Sequence, residues 1–396
     1  MERLFQSFSQ RLRNLRVKFK RFLYYNIDWN ERMIAIVGAR GTGKTTLILQ
    51  YIKENLPRDR SVLYASLDDL FFSENKLVDL VADFVSRGGK YLFLDEVHKY
   101  PSWSVELKNI YDIYPELKIV FSGSSVLQIF KGQADLSRRV TVYHLPELSL
   151  REYLAISKGI ELPAFSLEEI LASHEEIANQ ILDKVKIFSV WQDYLQQGAY
   201  PFFRETSNYQ YRLKQVVNQI LETDLPAVEN LNFQSVVKLK RLLYVISTSS
   251  PFQPNMTKLA ERLQIERHTL YKYFDLLQRA GLISLLYSDK KGISFLTKPD
   301  KVFLRNTNLL YLLSDNLPNI GTVRETFFLN MVSQSHRVNY PKTGDFLVDG
   351  RWLFEIGGKS KTKKQVAGKQ DAFIAADDIE IGFGNKIPLW LFGFSY

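Results

Sequence analysis

The stretch Gly38-Ala39-Arg40-Gly41-Thr42-Gly43-Lys44-Thr45 constrains the fold of this chain more than any other. It follows a short apolar run, Met33–Val37, and opens a helical stretch from about Lys44 to Asn55 that stops before Pro57. Glycines spaced in this way let backbone N–H groups turn inward and cradle phosphate oxygens. Lys44 is placed to reach the outer phosphates, and the Thr45 hydroxyl suits a Mg2+ shell. The helix start aims its unpaired N–H groups and positive dipole end at the same anion.

Further apolar runs follow at Ser61–Leu67, Tyr91–Leu94, Lys118–Phe121 and Val140–Leu145. A helical stretch at Asn75–Arg87 ends on Gly88-Gly89. Strands apolar on both faces, alternating with helices, predict an α/β fold with a parallel sheet covered by helices. After Pro146 the pattern changes. Leu148 to about Leu225 carries only helical signals, including Leu167–Ile187 and Ser189–Gln197. Residues 233–304 read as helices followed by a hairpin, and 306–396 return to mixed helix and strand.

The run Tyr91-Leu92-Phe93-Leu94 ends in Asp95-Glu96. An acid there can hold a Mg2+ shell, the role expected for Asp95, with Glu96 orienting or deprotonating an attacking water. Ser122-Gly123-Ser124-Ser125 closes the next strand, where the hydroxyl of Ser122 or Ser124 can sense the γ-phosphate or hold the water. Arg138 and Arg139 precede the fifth strand, where an arginine can neutralise transition-state charge in cis or from a neighbouring subunit. The binding residues are thus read as Gly38, Ala39, Arg40, Gly41, Thr42, Gly43, Lys44, Thr45 and Thr46, with ATP or a close relative and Mg2+ as the ligands.

At 396 residues the chain exceeds one ordinary core. The absence of cysteine excludes disulfides, thiolate zinc sites and cysteine nucleophiles, and fits a cytoplasmic location. The five histidines show no metal-ligand spacing. No apolar run suffices to span a bilayer, so no stable membrane insertion is expected. The formal charge of +9 attracts nucleic acid, anionic lipid or acidic proteins alike. Its excess gathers at Arg3, Arg11, Arg13, Arg16, Lys18, Lys20 and Arg21, and again at Lys359, Lys361, Lys363, Lys364 and Lys369. Residues 2–25 carry apolar residues at near-helical spacing and read as one basic amphipathic helix leading into the first strand; the stretch also has the composition of an organellar transit peptide.

Together these residues resemble the AAA+ ATPases, and more closely the bacterial and archaeal AAA-type ATPases that end in a nuclease-like domain of unassigned function. The resemblance rests on VGARGTGKTTLI, YLFLDEVHKYPSW, FSGSS, SRRVTVYHLPELSLREYL, QQGAYPFF, ILETDLP, KLAERLQIERHTLYKYFDLLQRAGLI and FEIGGKSK, in the family's order. It implies a five-stranded parallel core, a helical lid and self-assembly around nucleotide. It also implies Lys44 and Thr45 on phosphate and Mg2+, Asp95 on Mg2+, Glu96 as base, Ser124 as sensing hydroxyl and Arg139 as the arginine before the fifth strand. The expected organisation is a basic N-terminal helix (1–30), a P-loop ATPase core (31–147), a helical lid (148–232), a winged helix (233–305) and a restriction-endonuclease-like domain (306–396).

Lys258–Ile283 reads as helix, turn, helix, with Ile283–Leu286 and Ser294–Leu296 as a wing around Lys290-Lys291-Gly292. In a DNA-binding version Arg267, His268, Thr269 and Lys272 face the major groove, and Lys290 and Lys291 reach phosphates. The last ninety or so residues resemble a restriction-endonuclease-like core, which implies acids at Glu325, Asp345 and Glu355 and a lysine two residues after Glu355. Here that place holds Gly357, and Lys359 lies about 6–7 Å further along the same face of an extended strand. The site therefore reads as degenerate. The functions expected are an oligomeric ATPase acting with DNA or, alternatively, an ATP-dependent protein–protein switch or a nucleotide-gated nuclease.

Overall fold

Met33–Val37 forms β1, a fully buried strand at the heart of a five-stranded parallel sheet. The computed structural model describes residues 1–16, 18–123, 136, 138–229, 231–248, 251–288, 298–362 and 371–396. The sheet runs β2-β3-β4-β1-β5, with β2 at Val62–Ser66, β3 at Tyr91–Asp95, β4 at Lys118–Gly123 and β5 at Thr141–His144. The chain divides into two units, Met1–Glu147 and Leu148–Tyr396.

In the first unit the two faces of the sheet explain why its strands are apolar throughout. Ala35, Leu63, Leu92 and Phe121 pack one way, under α4 (Leu77–Ser86) and α5 (Trp103–Ile113), the second of which the sequence patterning did not reveal. Ile34, Ile36, Phe93 and Val120 pack the other way, under α3 (Lys44–Asn55). The edge strand β2 is covered by α1 (Glu2–Asn14), which sends Leu4 into one cluster and Phe8 into the other. A helix straddling an edge strand shields it from pairing with another chain.

The single helix expected over residues 2–25 is broken. α1 ends at Asn14, and α2 begins only at Phe22 and runs to Asn26. Side chains of α3 outcompete helical hydrogen bonding between them: Lys53 Nζ donates to the Leu15 carbonyl at 2.7 Å and Gln50 Nε2 to the Phe19 carbonyl at 2.8 Å. Arg21 then turns inward and is only 5% exposed.

The second unit opens with helices α6 (Leu150–Lys158), α7 (Leu167–Leu182), α8 (Phe188–Gln197), α9 (Tyr209–Gln219) and α10 (Leu225–Glu229). The segment expected as a lid packs within this unit. Ser149 Oγ donates to the Tyr396 carbonyl at 3.0 Å, and Trp191 Nε1 to Asp377 at 3.1 Å. α11 (Phe233–Thr248), α12 (Met256–Leu263) and α13 (Arg267–Arg279) follow, α12 and α13 joined by a short turn with Gln264 in the left-handed region. β6 (Ile283–Leu286) pairs antiparallel with β7 at Lys301–Leu304, the pairing expected of Ser294–Leu296, residues that fall outside those described. β7 is fully buried.

α14 (Thr307–Leu313) and α15 (Ile320–Val332) lead into a second sheet, ordered β12-β11-β10-β9-β8. Its strands are β8 (Val338–Asn339), β9 (Phe346–Val348), β10 (Trp352–Gly357), β11 (Ala372–Ala376) and β12 (Lys386–Pro388). β10, β11 and β12 are parallel, and β9 runs antiparallel to β10 and β8. The Phe328 ring of α15 lies 4.8 Å from those of both Phe354 and Phe392, centroid to centroid, closing the core on that face.

Candidate active site

Parallel strands end together, so the register decides which side chains share an edge. Val37 is level with Gly123 and His144, and Asp95 with Ser66. The glycine loop, Asp95 and Ser122 therefore meet at the carboxyl edge of the sheet, with β4 between the strands carrying the loop and the acid.

The loop backbone has the conformation its glycines permit. Gly41 and Gly43 take φ of 85° and 97°. A Cβ on Gly38 would sit 2.3 Å from the Leu145 carbonyl oxygen just beyond β5, so only glycine fits there. Thr42 Oγ1 donates to the Ala39 carbonyl at 2.9 Å. Lys44 is buried, and its ammonium donates to the carbonyls of Gly38 (3.0 Å) and Ala39 (2.9 Å), folded over the loop. Thr46 is half-buried at the start of α3, and Arg40 is half-buried within the loop.

Arg21, unremarked among the basic residues of the N-terminus, fastens this loop from behind. Its guanidinium donates to the Thr42 carbonyl at 2.5 Å, the Pro146 carbonyl at 2.7 Å and the Glu147 carbonyl at 3.2 Å. No local signal marked it, because its acceptors lie 21 to 126 residues away in the sequence.

Asp95 is the hub. Its Oδ2 accepts from Thr45 Oγ1 at 2.6 Å and from the Tyr64 hydroxyl at 2.8 Å. Its Oδ1 accepts from the Glu96 N–H at 3.1 Å and from Ser122 Oγ. Tyr64 on β2 was not foreseen; it was one more large residue in an apolar strand. Burial, with the Asp95 charge second, pushes its phenol far above the ordinary tyrosine range, so it is a donor here. Of the two serines considered, Ser122 meets Asp95, whereas Ser124 lies outside the described residues. The Thr45 hydroxyl and the Asp95 carboxylate are hard oxygen donors side by side, the chemistry Mg2+ takes when the rest of its shell is phosphate and water. Among the described residues no cluster of three or more His, Asp or Glu forms a closed metal site.

Glu96 sits just past β3 with φ of 52°, a left-handed conformation that costs a non-glycine residue about 1–3 kcal/mol. Its carboxylate lies 3.3 Å from Nε2 of the buried His98. Arg139 is elsewhere. It precedes β5, level with the opposite end of the sheet, about 15–20 Å from the loop along the strand direction. There its guanidinium makes two bonds to Asp112, at 2.9 and 3.0 Å, and this arginine holds the Asp112 carboxyl below its usual range. The in-cis role considered for Arg139 does not fit that placement, because the strand direction carries it away from the phosphate edge.

In the second unit the expected acids surround one another. Lys301 Nζ is 3.3 Å from Glu325, whose carboxyl is raised mainly by burial, with Asp345 adding and Lys301 and Lys361 opposing. Asp345 Oδ2 accepts from the Ile356 N–H at 2.7 Å. Glu355 is 1% exposed. β10 ends at Gly357, so Lys359 lies in the following turn rather than on the strand as expected. The turn closes early because the Gly358 carbonyl accepts from the Lys361 N–H at 3.0 Å. Lys361 instead folds back. Its stem passes 2.7–2.8 Å from where a Cβ on Gly357 would lie, and its ammonium reaches Glu355 Oε1 at 2.8 Å.

Residues 30–154 match the family described as AAA domain, and residues 189–319 match a domain of unknown function, DUF8612. An uncharacterized protein of Methanocaldococcus jannaschii is 27% identical over 395 residues, spanning 90% of this chain and 82% of its own. Among solved structures, a Walker-type ATPase of Pyrococcus abyssi is 12% identical with a TM-score of 0.41, covering 72% of this chain and 91% of its own. AMPPCP-bound DnaA of Aquifex aeolicus is 14% identical with a TM-score of 0.24, covering 64% of this chain and 84% of its own. With the loop, the strand order and the family match over one region, residues 30–154 form an AAA-type P-loop domain, a nucleotide-binding ATPase unit.

Proposed function

We propose that the chain is a Mg2+-dependent ATPase that binds the triphosphate along Gly38–Thr46 and works as an oligomer with DNA. The observation that carries the hydrolytic part is the convergence of Lys44, Thr45 and Asp95 on one sheet edge, with Glu96 next to Asp95 in the chain. Loop N–H groups and the α3 start take the phosphates, and Lys44 exchanges its loop carbonyls for phosphate oxygens. Thr45 and Asp95 hold the magnesium ion, which supplies neutralisation of phosphate charge when bound. Glu96 accepts the proton of the attacking water, and Ser122 or Ser124 orients the terminal phosphate. Arg139 acts on a neighbouring subunit's nucleotide, the reading its distance from its own loop supports.

Lys44→Ala is expected to abolish binding of a fluorescent ATP analogue. Glu96→Gln is expected to keep that binding and lower kcat by about a hundredfold or more. Parental turnover in Glu96→Gln would show that another group activates the water.

The DNA part is supported by the net charge of +9 and by the order α12, turn, α13, β6, β7, which suits a winged helix, with His268 exposed on α13 and Lys272 paired to Glu229 at 3.0 Å. Binding to duplex DNA that weakens steeply between about 50 and 200 mM salt is the expected result, and salt-insensitive or absent binding favours acidic protein partners. A second reading, a nucleotide-gated nuclease, is favoured by the Lys361 ammonium standing at Glu355 where the sequence offered only Gly357. Plasmid incubated with Mn2+ and ATP, against Glu355→Ala, decides it; intact plasmid retires that reading.

A further inference from the structure

The four donors around Asp95 are not equivalent. Thr45 belongs to the phosphate loop, Ser122 to the neighbouring strand, and the Glu96 N–H to the same chain segment. Tyr64 alone comes from β2, which lies beyond β3 at the edge of the sheet. Its ring is 2% exposed, so the hydroxyl points inward at Asp95 and not at solvent. Behind it lies α1: the Phe8 ring stacks on Tyr64 with centroids 6.0 Å apart and planes 29° apart, and the Arg11 guanidinium sits 5.7 Å from the ring centroid.

A carboxylate that shares a metal shell needs its orientation set before the metal arrives, because an acid free to rotate loses affinity to that freedom. Thr45 can donate its proton to Asp95 while a lone pair of the same oxygen serves the metal, so its hold on the acid is shared with the ligand. Tyr64 holds the same Oδ2 from a buried ring on another strand, outside the phosphate loop. We propose that Tyr64 is a positioning residue that orients the Asp95 carboxylate for the divalent cation, and that α1, through Phe8 and Arg11, braces Tyr64 for this task. The N-terminal helix is then part of the catalytic unit rather than a leader to it. This inference rests on Asp95 serving the magnesium shell.

The test uses the full chain loaded with a non-hydrolysable ATP analogue and measures Mn2+ affinity by electron paramagnetic resonance, beside the Mg2+ dependence of ATP hydrolysis. Tyr64→Phe keeps the ring and removes only the hydroxyl. It is expected to bind the nucleotide in EDTA as the parent does, while Mn2+ affinity falls about tenfold, the effect of losing one hydrogen bond to a charged acceptor. The Mg2+ concentration for half-maximal rate should rise in parallel, with kcat at saturating Mg2+ largely restored. In the Asp95→Asn background, adding Tyr64→Phe should change Mn2+ affinity no further. Unchanged Mn2+ affinity in folded Tyr64→Phe overturns the positioning role and leaves the ATPase reading intact. Parental Mn2+ affinity in Asp95→Asn overturns the assignment of Asp95 itself. Phe8→Leu, which leaves the hydroxyl in place, stands in should Tyr64→Phe not fold. It should weaken Mn2+ in the same direction by a smaller factor, and no change in folded Phe8→Leu overturns the bracing by α1.

Discussion

The two units bury their charges in opposite ways. In the first, Arg21 gives its guanidinium to the carbonyls of Thr42, Pro146 and Glu147, and Asp95 receives four donors on two oxygens. In the second, Glu355 is as deeply buried as any core residue, yet among the described residues its Oε2 meets no donor and its ion pair is with a half-exposed lysine from a turn. Glu325 nearby is pushed toward its neutral form by burial. A charge given a complete shell is held in one orientation and is costly to remove. A charge given a partial shell is itself the costly feature, and replacing it with a neutral group is nearly free. The first unit is thus organised before its ligand arrives, whereas the acid cluster of the second is organised around its own lysines.

The largest effect that tests this contrast is Arg21→Ala. It strands three buried carbonyls at the back of the phosphate loop and is expected to cost the first unit about 3 kcal/mol, a fall of roughly 10 °C in its melting midpoint. ATP affinity should fall with it, because Thr42 is no longer anchored. Arg21→Lys should recover little, since an ammonium lacks the planar fork that spans separate acceptors. Calorimetry of the full chain, in which both units are followed, checks this. A melting midpoint within a degree of the parent would mean that the loop does not depend on this arginine.

How much of this was legible beforehand differs between the same two regions. The loop, the strand-ending Asp95-Glu96 and all five strands of the first sheet follow from apolar runs interrupted by glycine and acid, because local pattern and local structure coincide there. Arg21 and Tyr64 were not legible, since their partners lie 21 to 126 and 31 residues away and nothing local distinguishes an inward arginine from an exposed one. Arg139 was legible as a residue but not in its placement, because strand direction, not spacing, sends it to the far edge. Lys361 was hidden for a different reason. Strand periodicity was extended through Lys359, whereas the strand stops at Gly357 and a turn returns the side chain of Lys361.

The contrast sharpens when the acids are neutralised one at a time. Asp95→Asn replaces one acceptor oxygen with an NH2 that faces donors already in place, so about 1–3 kcal/mol of stability should be lost together with most of the ATPase rate. Glu355→Gln, of equal modesty on paper, should leave stability unchanged or raise it by about 1 kcal/mol, since Lys361 can turn its ammonium to water. Urea unfolding of both variants beside the parent reads the difference. Equal losses in the two would mean that Lys361 completes the shell of Glu355 after all.

The smallest effect lies in pH. Glu325 is raised from the ordinary 4.5 by burial, against the opposing charge of Lys301. Between its unfolded value and its raised folded value the native state holds the proton more tightly, so the native state binds more protons than the unfolded one. Stability of the second unit is therefore greatest below the unfolded value and falls as pH rises through that window. This is opposite to the Asp112–Arg139 pair of the first unit, where a lowered carboxyl gives stability that is present above the unfolded value and lost as pH falls through the folded one. Glu325→Gln should flatten the acid-side slope of the second unit without touching that of the first. A slope that survives the substitution would place the titrating proton on a group other than Glu325.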